Sequence, residues 1–134
     1  MRTIRKTAFL ALVMLVVSST ASIGMAQFAS EANIQSIVNR IQTRTDNLQR
    51  AIQNASDRGN YRAEDLNRLV LDFESAVNQL DRRVGSRRAS SADARVVLDR
   101  AVLIDNFLMN NRVGGGTHRE WQSLRADIDQ LGSY

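Results

Sequence analysis

Leu66-Asn-Arg-Leu-Val70-Leu-Asp-Phe73-Glu-Ser-Ala-Val77-Asn-Gln-Leu80-Asp-Arg-Arg-Val84-Gly85 sets the reading of the whole chain. Its apolar side chains at Leu66, Val70, Phe73, Val77, Leu80 and Val84 step by fours and threes. That spacing puts them on one face of an α-helix, whereas a half-buried strand would alternate. Asn60 is placed to cap this helix, Glu64 and Asp65 stand in its first turn where the helix dipole favours anions, and Gly85 closes it.

The same rule extends to both sides. Ile34, Val38, Ile41, Thr45, Leu48, Ile52 and Ala55 form a stripe between a cap at Ser30 and a stop at Gly59. Beyond Gly85, Ser90-Ser-Ala-Asp93 has the pattern of a capping box, and Val97, Ala101, Ile104 and Leu108 follow on one line with Val96, Leu103 and Phe107 beside it. This third apolar arc is the widest, which predicts the most central helix. Thr117-His-Arg-Glu120 reads as a second capping box ahead of Trp121, Leu124, Ile128 and Leu131, the anchors of a short fourth helix. The predicted helices cover residues 31–57, 61–84, 91–112 and 118–131. Connections of a few residues make neighbours antiparallel, so the expected fold is all-α: an up-down-up-down four-helix bundle with coiled-coil-like packing. Pairs such as Asp46 with Arg50 and Glu64 with Arg68 should lace the exposed faces. The fourth helix, tethered by Gly114-Gly-Gly116, is expected to be the least stable element.

Upstream of the bundle the chain changes character. Arg2, Arg5 and Lys6 precede an apolar run from Ala8 to Val17, and Gly24-Met25-Ala26 supplies a small-x-small cleavage site. Residues 1–26 therefore read as a cleavable export signal, with a mature domain of residues 27–134 beginning at Gln27. The alternative is an uncleaved anchor, but the apolar core is about half the roughly twenty residues that a span requires. Export predicts a periplasmic or secreted protein, touching membrane only through the precursor.

Losing three of the 18 basic residues with the signal leaves a net charge near +1 against 14 acidic residues. A near-balanced chain with few aromatics is a poor candidate for nucleic acid. With no cysteine there is neither a disulfide framework nor a thiolate metal site. The single histidine, His118, has no ligand spacing around it, and Met109 lies nine residues before it across a glycine turn with no Cys-x-x-Cys-His motif, so neither metal nor haem is expected. Serines and carboxylates lack the arrangement that hydrolysis needs, and no catalytic residue or cofactor is predicted.

Two polar groupings remain. Arg82, Arg83, Arg87 and Arg88 crowd the end of the second helix. They complement its negative end, and they could also hold anionic envelope polymers or lipid headgroups. Arg100 and Asp105 fall within the apolar arc of the third helix, which predicts a structural ion pair or backbone contact to a neighbouring helix, with Arg44 and Arg125 among the candidate partners of Asp105. For that pair, replacing Asp105 by leucine is expected to be milder than removing its arginine.

Certain stretches resemble a family of small exported α-helical proteins of soil bacteria with no assigned activity. They are Thr45-Asp46 with Leu48, Asp72-Phe-Glu74, Leu80-Asp-Arg82, Val97-Leu98 with Arg100-Ala101, Leu103-Ile-Asp105-x-Phe107, and Trp121-x-x-Leu124-Arg125-x-Asp127. The resemblance covers most of the mature chain and implies export and helical architecture; the chain departs from it in ending at Tyr134, where relatives continue with an aromatic tail. The function expected is a non-enzymatic structural or protein-interaction bundle whose partner is another protein or itself. The alternative is a binder of anionic envelope polymers or lipids through the Arg82 to Arg88 turn.

Overall fold

A computed structural model describes the backbone from Ile4 to Tyr134 and the side chains from Glu31 onward. Residues 1–26, where an export signal ending at a cleavage point is expected, lie outside the residues whose side chains are described. The chain divides into two compact units, residues 1–33 and 34–134, and the second is the bundle. Four helices follow in order: α1 Ile4–Asp57, α2 Arg62–Gly85, α3 Ser91–Asn110 and α4 Gly115–Gly132. No strand occurs among the described residues. Ser30 falls inside α1 and not at its start, so the cap expected there is not formed.

The core is the set that the periodicity marks. Val38, Ile41, Leu48 and Ile52 of α1 are buried with Leu66, Val70, Phe73, Val77, Leu80 and Val84 of α2, Val97, Ala101, Ile104 and Leu108 of α3, and Trp121, Leu124, Ile128 and Leu131 of α4. Thr45 is buried within the α1 stripe because its hydroxyl donates to the Ile41 carbonyl at 2.7 Å, which satisfies the polar atom inside the helix. Hydrogen bonds from Gln35 to Asp81, Gln42 to Asn78 and Gln49 to Glu74 run in descending register, which makes α1 and α2 antiparallel. Arg40 and Arg44 reach Asp127, so α4 also packs beside α1 and closes the bundle.

The turns are set by local backbone chemistry. At the end of α1, Gly59 adopts φ +85°, the Asn60 N–H donates to the Ala55 carbonyl and the Gly59 N–H to that of Ser56, a Schellman closure. The same closure ends α2 two residues later than expected: Gly85 is still helical, and Arg87 takes the left-handed position at φ +58°, with the Arg88 N–H bonded to the Arg83 carbonyl. Asn60 caps α2 as predicted, its Oδ1 accepting the Arg62 N–H at 3.0 Å. The Ser90–Asp93 capping box is formed.

Three expectations are corrected. α4 begins at Gly115 after Gly114 with φ +106°, so Thr117 is no cap; it is buried and bonds back to the Val113 carbonyl. α3 is not the central helix: it buries fewer residues than α2 or α4, because Val96 and Leu103 of its wide apolar arc face outward, as do Val102 and Met109 beyond it. The exposed pairs also differ: Arg50 bonds Asn47 and the Asp46 carbonyl, and Arg62 pairs with Asp65, three residues on, while no ion pair joins Glu64 to Arg68 among the described residues.

Candidate functional site

The polar groups of this bundle fall into three places: between the helices, at the α2–α3 corner, and at the opposite end where the α1–α2 turn meets the α3–α4 loop.

Between the helices, Asp105 is the junction of α3 with α4. Its Oδ1 accepts the Trp121 Nε1–H at 2.7 Å, and its Oδ2 lies 3.0 Å from Arg125 Nε. Arg125 is the partner that sequence reasoning had among its candidates. Arg100 is not brought to this junction; it is exposed on the outer flank of α3. Its expected approach to the core fails for the same reason that α3 is not central: the apolar arc overruns the buried face. Trp121 is 5% exposed and meets Phe73 of α2 edge to face, with ring centroids 6.1 Å apart, while Leu124 and Ile128 are wholly buried.

Asp127 was missed. It is 7% exposed, and Arg44 Nε lies 2.6 Å from its Oδ2 while Arg40 Nε lies 3.3 Å from its Oδ1. A carboxylate held so far from water requires countercharge, and α1 supplies two guanidiniums that are themselves partly exposed. The signal available in the sequence was that Asp127 directly precedes Ile128 on the α4 stripe, at the edge of the buried face.

At the α2–α3 corner, Arg82, Arg83, Arg87 and Arg88 are all exposed. Arg83 Nε reaches Asp93 at 3.3 Å. The Asp93 carboxyl titrates below the ordinary aspartate value of 3.8. The Ser90 backbone N–H bonds it at 2.9 Å, and the Ser90 hydroxyl and the Arg83 charge act in the same direction against partial desolvation. The corner is therefore both strongly basic and clamped from α2 to α3.

At the opposite end a cleft of about 750 Å³ opens between the last turn of α1, the α1–α2 turn and the α3–α4 loop. Asn60 ties its walls together: while its Oδ1 caps α2, its Nδ2 donates to the Arg112 carbonyl at 3.2 Å. Val113, a loop residue that periodicity could not mark, is fully buried and fixes the loop from below. Arg58, Arg62, Arg112 and Arg119 line the cleft and no carboxylate does. Arg62 lies over the Tyr61 ring at 5.1 Å and pairs with Asp65, whereas the guanidiniums of Arg58, Arg112 and Arg119 have no ion-pair partner among the described residues. Met109 and His118 line a neighbouring cavity that shares the wall from Asn110 to Gly115 with this cleft, and Met109 is 81% exposed. Among the described residues no three His, Cys, Asp or Glu side chains are grouped to hold a metal ion.

Compared with family models, curated proteins and solved structures, the chain matches none.

Proposed function

We propose that this chain is exported and that its mature domain works without catalysis, as a bundle that binds a protein partner or a second copy. The observation that carries this reading is the exposed apolar surface of α3. Val96 and Leu103 on one flank, and Val102 and Met109 on the other, are exposed in pairs seven residues apart, and each pair has the spacing at which a further helix can lie along a seam. The helix spends this apolar surface on solvent while its other face already supplies four buried core residues. Export rests on the basic, apolar and small-residue order of residues 1–26.

Two measurements test it. Mass spectrometry of the exported protein should give Gln27 as the first residue, and retention of Met1 to Ala26 would remove the cleavage claim. Cross-linking in the native envelope, compared with light scattering of the purified domain, should show a complex that Leu103→Glu with Val96→Glu abolishes. A complex unaffected by those charges would defeat the α3 seam.

A second reading places an anionic envelope polymer or lipid on the Arg82 to Arg88 corner. It is favoured by the left-handed backbone of Arg87, a conformation uncommon for a residue with a side chain and one that holds a four-arginine turn in a fixed shape. Salt separates the two readings: contact through the arginine corner should weaken steeply with ionic strength, and packing on α3 should not.

A further inference from the structure

We propose that the cleft between the α1–α2 turn and the α3–α4 loop binds a phosphoryl-bearing anion, with Arg58, Arg112 and Arg119 as its ligands. This site is distinct from the Arg82 to Arg88 corner, which stands at the other end of the antiparallel bundle.

Three independent features converge there. The first is charge without compensation. Among the described residues other arginines of the bundle, such as Arg68 and Arg95, also lack an ion pair, but only here do three such guanidiniums, those of Arg58, Arg112 and Arg119, line one cleft, and the acids nearest in sequence, Asp57 and Glu120, do not line it. Like charges gathered around one concavity repel one another, and an anion seated among them relieves that repulsion. The second is shape. A volume of about 750 Å³ exceeds what a single inorganic anion fills and falls in the range of small-molecule sites. The third is rigidity. Asn60 bonds one wall to the other, and buried Val113 and Thr117 hold the loop, so the arginines are carried on a frame that need not reorganise on binding.

The ligand class follows from the donors. Each guanidinium presents a planar fork of N–H groups that matches the oxygens of a phosphoryl group in bidentate fashion, and several of them suit a ligand with more than one negative charge. The start of α4 at Gly115 and Gly116 forms part of the wall, and its positive dipole end adds to the field of the arginines. Exposed Tyr61 stands at the rim with Arg62 over one face of its ring, which leaves the other face for whatever carries the phosphate.

The test uses the exported protein and two probes, pyrophosphate in titration calorimetry and phosphatidylglycerol vesicles in a sedimentation assay, each at low and moderate salt. Arg112→Gln combined with Arg119→Gln should weaken binding of at least one probe by tenfold or more. The pair Arg82→Gln and Arg88→Gln, which removes the same charge from the far corner, should change it less than twofold. Dependence seen with pyrophosphate identifies a soluble phosphoryl ligand, and dependence seen only with vesicles identifies a lipid headgroup; either supports the site. All four arginines are exposed, so the variants should keep the wild-type circular dichroism. Equal losses from the two pairs would reduce the effect to general charge and overturn the proposal, as would absence of binding to both probes. A third variant, Asn60→Ala, should weaken binding without removing any charge, which a purely electrostatic attraction would not reproduce.

Discussion

Trp121 of α4 donates its indole N–H to Asp105 of α3 at 2.7 Å, so the largest side chain of the fourth helix is fixed by its polar edge as well as by its apolar faces. This changes what Asp105 does. A simple ion pair with Arg125 would be only weakly stabilising, because both side chains are close to a third exposed and solvent screens them. The hydrogen bond to the indole adds orientation: it holds the ring in its edge-to-face contact with Phe73 and so ties the α3–α4 junction to a core residue of α2.

Removing the acceptor should therefore matter more than removing the arginine, the reverse of the expectation drawn from an ion pair alone. Asp105→Leu strands the indole N–H and is expected to cost about 1–3 kcal/mol, whereas Arg125→Gln should cost less than about 1 kcal/mol. Urea denaturation of the single variants and of Asp105→Leu with Trp121→Phe decides the point, since the double variant has no indole donor left to strand. If Arg125→Gln proves the more damaging change, the ion pair and not the indole bond governs the junction.

Asp127 predicts redundancy. Because Arg40 and Arg44 both face it, either can be replaced by alanine at a cost of roughly 1 kcal/mol, with the other still neutralising the carboxylate. Replacing both leaves a nearly buried charge without a partner and should cost on the order of 3–5 kcal/mol, well beyond the sum. Strict additivity in chemical denaturation would mean that water reaches Asp127 freely.

These contacts mark where the sequence was legible and where it was not. Periodicity within a helix reports which face is buried, and the stripe residues from Val38 to Ile52, from Leu66 to Val84 and from Trp121 to Leu131 are buried as spaced. It is silent on which helices adjoin, so it cannot match Asp127 to arginines more than eighty positions away on α1. It also cannot separate a wide buried arc from a buried arc beside an exposed apolar flank, which is how Arg100 came to be placed near the core. The start of α4 was misread because Thr117 and Glu120 mimic a capping box, while Gly114, free to adopt φ +106°, opens the helix earlier. The arginine cleft joins three segments far apart in sequence, with its residues scattered from Arg58 to Arg119.

Acid should loosen the α2–α3 corner through Asp93. Its folded pKa is depressed, so it contributes stability above the unfolded value, and that contribution is lost as pH falls through the folded value. Asp93→Asn removes this component while keeping an acceptor for the Ser90 N–H. Between about pH 5 and about pH 2 the stability difference between wild type and variant should shrink, as read from thermal unfolding followed by circular dichroism. A difference constant across that window would show that Asp93 gains nothing from its charge.

The fourth helix is expected to open before the rest of the bundle. It is the shortest of the four, and two of its first residues are glycines, each of which loses more backbone entropy on ordering than alanine, by roughly 0.5–1 kcal/mol. Its hold comes from Trp121, Leu124, Ile128 and Leu131 together with the Asp105 and Asp127 contacts, so truncating the largest anchor, Trp121→Ala, should cost about 3–5 kcal/mol. A methyl group added at Gly116 meets no atom within 4 Å, so Gly116→Ala should strengthen the helix without strain. Native-state hydrogen exchange gives the reading: amides from Glu120 to Leu131 should exchange through an opening well below global unfolding, and Gly116→Ala should slow that exchange selectively. Protection in α4 equal to that of α3 would mean that the helix opens only when the whole bundle does.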